Sequence, residues 1–105
     1  MRYEVCILSG AEADATEIFT YIAQDNKDAA IKLLDNIYAA MEPLCDFPER
    51  GARIKDKSLN RLGYRFLVVG PYLIFYRVVG QEVHVHHIVH ERRNLAFTLL
   101  GKSKD

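Results

Sequence analysis

The chain has 105 residues, a formal net charge of zero, 50% hydrophobic and 27% charged residues. At this length roughly two thirds of the unfolded surface can be buried, enough for a single core in one domain over residues 1–105. No apolar run reaches the ~18 residues of a membrane span, Val5 to Leu8 is too short for a signal-peptide core, and Cys6 and Cys45 lack paired spacing, so a reduced, cytoplasmic setting is expected.

The neutrality hides a division. Residues 1–49 hold three bases against ten acids, whereas residues 50–105 hold eleven bases against four acids. Such asymmetry suits a protein that offers one face to an anionic partner; it also suits two halves that attract each other within the chain.

Arg2 to Leu8 is a run of β-formers ending at Ser9-Gly10. Ser9, with Glu12 three residues on, has the spacing of a capping box, which predicts a helix beginning near Gly10. Ala11, Ala15, Ile18, Phe19 and Ile22 recur at three and four residues and form its buried stripe. Asp25-Asn26 breaks the pattern, and Asn26 is an N-cap for a second helix with the stripe Ala30, Leu33, Leu34, Ile37, Met41, Leu44. The short connection makes the pair an antiparallel hairpin. Pro43 lacks an amide proton and predicts a kink or an early end. Residues 47–51, Phe-Pro-Glu-Arg-Gly, form the exit, and Ala52 to Asn60 reads as an exposed basic loop.

Three strands follow: Gly63 to Val69, Tyr72 to Val79 and Glu82 to Val89, joined by turns at Gly70-Pro71 and Gly80-Gln81. Tyr72 to Tyr76 is apolar on both faces, as a central strand covered on both sides should be. The order implies an α+β layer: an N-terminal strand, a helical hairpin on one sheet face, a three-strand antiparallel meander, and a short C-terminal helix or tail.

Strict alternation along the last strand would put His84, His86, Ile88 and His90 on one side and Val83, Val85, His87 and Val89 on the other, so that three imidazoles share a face. Such a cluster suits general acid/base chemistry on RNA, or simply an amphipathic sheet rim. A metal site is not expected, because no Asp, Glu or Cys completes a shell at local spacing, and no cofactor is implied. Arg65, Arg77, Arg92 and Arg93 are candidate phosphate or partner contacts, and Arg53, Lys55, Lys57 and Arg61 could extend them into a nucleic-acid-binding face or be a solvated basic edge. Tyr64, Tyr72 and Tyr76 read mainly as core tyrosines.

Residues 13–23 (Ala-Asp-x-x-Glu-Ile-x-x-Tyr-Ile-Ala), Asp25-Asn26, Phe47-Pro48-x-x-Gly51, Gly63-Tyr64-Arg65, residues 72–77 (Tyr-Leu-Ile-Phe-Tyr-Arg) and His90-x-Arg92-Arg93-Asn94 resemble, in order and spacing, the RelE/ParE superfamily of type II toxin–antitoxin toxins. The resemblance implies a growth inhibitor of the kind linked to plasmid stabilisation, held inactive by a cognate antitoxin. RelE-like members cut mRNA on the ribosome; ParE-like members block DNA gyrase. For the nuclease reading the resemblance points to Arg65, His90, Arg92 and Arg93 as catalytic. For the binding reading it points to Arg65, Arg77, His90, Arg92 and Arg93 as target contacts. Basic positions of the nuclease pattern fall on Leu67 and Leu73, and the terminal tyrosine falls on Phe97, so the chain resembles the ParE side. A plain interaction domain without toxicity is the remaining alternative.

Overall fold

A computed structural model describes residues 2–92. The predicted C-terminal helix or tail, with Arg93, Asn94 and Phe97, lies outside the described residues.

Strand β1 (Glu4–Ile7) runs straight into helix α1 (Ser9–Ala23). The expected capping box does not form. Leu8, not Ser9, is the N-cap, and no side chain caps the helix. The amide of Glu12, which the Ser9 hydroxyl would have accepted from, already bonds the Leu8 carbonyl at 3.0 Å. The Leu8 amide is bonded in turn to the Val85 carbonyl at 3.0 Å, so the neighbouring strand fixes where the helix begins.

Asn26 caps α2 (Lys27–Met41) as its residue type requires, its side chain accepting from the Ala29 amide at 3.0 Å. Helix α2 ends just before Pro43, and the chain tightens into a 3₁₀ turn over Glu42–Cys45 that buries Leu44.

The segment expected as an exposed loop is more structured than its composition suggests. Strand β2 (Ala52–Arg53) pairs with β3 (Arg65–Val69), and helix α3 (Lys57–Arg61) follows, its N-cap Asp56 accepting from the Leu59 amide at 3.1 Å. Ile54 and Leu59 are buried, which is what holds this short segment down.

Strands β4 (Tyr72–Val79) and β5 (Glu82–His90) complete a five-stranded sheet in the order β1-β5-β4-β3-β2, with β1 parallel to β5 and the other pairs antiparallel. The β3–β4 and β4–β5 turns close on the pairs Val69–Tyr72 and Val79–Glu82, each with its glycine at positive φ, 57° for Gly70 and 62° for Gly80.

Two cores lie on opposite sides of β4. Ile74, Tyr76, Val83, Val85 and Ile88 meet the helical hairpin through Ala11, Ala15, Ile37 and Met41. Phe75 and Val89, on the other face, meet Ile54, Leu59 and Tyr64. The hairpin covers one face and the α3 segment part of the other, which explains why Ile74, Phe75 and Tyr76 in succession are all fully buried.

The alternation expected along β5 is broken. Phe75 pairs with His87 and Tyr76 with Val85, leaving His86 as the extra residue of a β-bulge. His84 and His86 therefore stay on the face that carries α3, whereas Ile88 enters the core under the hairpin and His90 stacks edge-on with Tyr72 at 5.5 Å on that same side. The three imidazoles do not share a face.

Candidate functional site

The bulge is fastened to α1 by Asp14. Its Oδ2 accepts from the backbone amide of Ile88 at 2.9 Å and lies 3.0 Å from Nδ1 of His87. Gly10 permits the approach, since a Cβ there would sit 3.0 Å from the His87 ring and 3.1 Å from the His86 carbonyl. Beside this contact a hollow of about 230 Å³ is lined by Asp14, Glu17, Tyr21, Tyr72, Ile88 and His90. His90 thus opens toward acidic α1, and the Arg92 amide donates to its Nδ1 at 3.3 Å.

Arg65 stands at the far end of the ladder. It pairs with Tyr76, while His90 pairs with Tyr72, so their partners stand four positions apart on β4, about 13 Å along an extended strand. The Arg65 guanidinium donates through Nη1 to the carbonyls of Glu49 (3.2 Å) and Gly51 (2.9 Å), and the Gly51 amide donates to the Tyr76 hydroxyl at 2.8 Å. Burial pushes the Tyr76 hydroxyl pKa above 10, with the Gly51 amide and Arg65 pulling the other way, so the phenol is neutral at any working pH. Arg65 and Tyr76 together brace the turn that delivers the chain to β2.

Arg77, the next residue along β4, points to the opposite face. Its guanidinium carbon sits 5.4 Å from the centre of the Tyr64 ring, and its Nη1 donates to the Leu62 carbonyl at 3.3 Å. Tyr64 also meets His86 edge-on at 5.2 Å. Among the described residues, Arg77 Nε and His86 Nε2 are buried side-chain atoms without a hydrogen-bond partner. Burial lowers the His86 pKa below its usual 6.5, with Arg77, His84 and His87 adding to the effect.

Arg53, Lys55, Lys57 and Arg61 gather around one groove of about 590 Å³ with Ile54 and Asn60 in its wall. An adjoining depression of about 240 Å³ shares Arg53 and Asn60 and adds Arg65, Tyr64 and Glu49. The basic residues taken together from the sequence therefore separate into three places: a continuous surface from Lys55 to Arg65, Arg77 on the Tyr64 side, and His90 with Arg92 at the hollow beside α1. Leu67 packs against the hairpin-side core and Leu73 against the other, so apolar contacts occupy both positions where the nuclease pattern would carry a base. Sequence reasoning missed Asp14 as a bridge to β5. The helical period of α1 places Asp14 outside its buried stripe, so the sequence carried no signal for this contact.

The ParE toxin family of type II toxin–antitoxin systems matches residues 7–95 of this chain. Toxin RelE2 of Caulobacter vibrioides is 37% identical over 79% of this chain and 89% of its own length, and Toxin ParE1 of the same organism is 32% identical over 80% and 84%. A structure of the chromosomal ParDE system from P. aeruginosa has the same fold, with a TM-score of 0.70 at 23% identity, covering 85% of this chain and 96% of the other. A chain of the RelBE2 toxin–antitoxin complex from Mycobacterium tuberculosis aligns with a TM-score of 0.55 at 19% identity over 86% of this chain and 99% of its own. With a five-stranded sheet under a helical hairpin and a family match over most of its length, the chain belongs to the ParE toxins of type II toxin–antitoxin systems, within the RelE/ParE superfamily.

Proposed function

We propose that this toxin arrests growth by binding its target rather than by cleaving RNA, that the target is DNA gyrase, and that a cognate antitoxin neutralises it in the cytoplasm. The observation that carries this reading is the separation of Arg65 from His90. A general acid or base acts from hydrogen-bond reach of the reacting atom, and a charge that stabilises a phosphorane must lie at the same centre. Here the two stand at opposite ends of the β4 ladder, Arg65 is engaged by the Glu49 and Gly51 carbonyls, and leucines fill the places between.

The alternative, a ribosome-dependent mRNA endonuclease using Arg65, His90, Arg92 and Arg93, draws support from the basic groove of Arg53, Lys55, Lys57 and Arg61, which could follow a polyanion. The two readings separate in one paired assay with the purified chain. Inhibited gyrase supercoiling with intact ribosome-bound mRNA is expected; site-specific mRNA cuts with normal supercoiling would reverse the assignment. Arg92→Ala combined with Arg93→Ala should abolish growth arrest without loss of folded protein. Undiminished arrest from a stably expressed double variant would make the pair a solvated edge.

A further inference from the structure

Cys6 and His84 are far apart in sequence but occupy the same rung of the parallel β1–β5 ladder, and Glu4 and Glu82 pair one step away on the same face. That face lies opposite the hairpin, because the alternate residues Val5, Ile7, Val83 and Val85 point into the hairpin-side core. The thiol of Cys6, a carboxylate oxygen of Glu82 and a ring nitrogen of His84 all lie within 4.8 Å of one another. His84 Nε2 is already 2.8 Å from Glu82 Oε1. All three residues are within reach of solvent, so an ion has a path in.

We propose that Cys6, Glu82 and His84 form a zinc site that staples the short edge strand β1 to β5. The donor set is one thiolate, one imidazole and one carboxylate, the mixture that Zn²⁺ takes in tetrahedral sites, with water in the fourth position. Donors in such a shell lie 2.0–2.3 Å from the metal and hence about 3.3–3.8 Å from each other. Rotation of these partly exposed side chains by roughly an ångström closes the present spacing to that geometry. The ion replaces the thiol proton and the Glu82–His84 contact, and the Glu4 carboxylate, paired with Glu82 across the ladder, adds favourable negative potential. Arg77 is His84's neighbour on β4, but its guanidinium is held over Tyr64 and on the Leu62 carbonyl. Reasoning from local spacing does not reach this group: Glu82 stands only two residues before His84, and the parallel pairing brings Cys6 to them from the N-terminus.

The test uses untagged, reduced full-length protein titrated with Zn²⁺ against a chromophoric chelator, and with Co²⁺ to read a thiolate-to-metal charge-transfer band. One equivalent per chain is expected for the unaltered chain and for Cys45→Ser, with at least about tenfold weaker binding in Cys6→Ser and His84→Ala. Absence of binding at micromolar zinc, or binding undiminished in both site variants, overturns the proposal. Should the site variants fail to fold, Cys45→Ser alone decides. Zinc must slow alkylation of Cys6 about tenfold or more, and an unchanged rate at saturating zinc overturns the site.

Discussion

Gly51 is a residue whose identity follows from one contact. A Cβ at this position would lie 2.5 Å from the Tyr76 hydroxyl oxygen, 2.7 Å from its ring and 2.9 Å from the Phe66 carbonyl, so no side chain fits without moving a fully buried tyrosine. Gly51→Ala should therefore cost about 1–3 kcal/mol through overpacking, read as a lower denaturant midpoint at unchanged slope. A midpoint within error of the unaltered chain would mean that Tyr76 moves freely. His86 offers a second test. Its folded pKa lies below the ordinary 6.5 because the ring is buried, with Arg77 on β4 and His84 and His87 on β5 opposing a further charge. As pH falls through 6.5 the unfolded chain takes up this proton first, so stability is full above that value and declines below it until the folded value is passed. His86→Gln should flatten this part of the stability curve in urea melts between about pH 5 and 7.5; an equally steep curve would assign the slope to other groups.

Among the elements, the hairpin and the meander were legible in the sequence because a helical period or a two-residue turn marks them locally. The α3 segment and the bulge were not. In the basic stretch from Ala52 to Asn60 Ile54 and Leu59 are the only large apolar residues, five residues apart, too few to show a period, yet both are buried against Phe75 and Tyr64. Its one local cue is Asp56, three residues before Leu59 and a usable N-cap. Leu59→Ala should cost about 2–5 kcal/mol and release the segment, seen as faster amide exchange across residues 54–62 than across α2. Uniform exchange would show that the segment does not depend on this anchor. The bulge escaped because period-two reasoning carries no information about an inserted residue, and it turns half of β5 over. Asp14 lies outside the apolar stripe of α1, and only the fold shows its carboxylate aimed at backbone rather than water. Asp14→Ala orphans the Ile88 amide and should cost about 1–3 kcal/mol, whereas Asp14→Asn keeps an acceptor and should cost less. Equal losses would place the value of the contact in charge alone.

For the whole molecule, the division of charge survives folding. Among the described residues, Arg2 with Asp46 is the only Arg or Lys ion pair, and both lie in the acidic half; the bridge between halves is Asp14 with His87. The two halves are thus not consumed by pairing with each other. No helix among the described residues is long and apolar enough to cross a membrane. The basic groove at α3, the acidic hairpin and exposed aromatics such as Tyr21 and Phe47 are left to meet something else. In the reading proposed above, an antitoxin segment that folds on binding supplies acidic and apolar residues to this surface. A short neighbouring gene should then encode a protein with an amphipathic C-terminal half that co-purifies with the toxin. Charge reversal at Arg65 with Arg77 should weaken the complex, but both guanidiniums also brace the fold through main-chain carbonyls. Lys55, Lys57 and Arg61 are the cleaner probes, being exposed on one groove. Their reversal to Glu should weaken binding and lower its salt dependence while leaving the melting temperature near that of the unaltered chain, since exposed charges act across a Debye length of about 10 Å at 0.1 M salt. Affinity and salt slope that ignore all three changes would move the antitoxin off the basic groove, toward the aromatic surface of the hairpin.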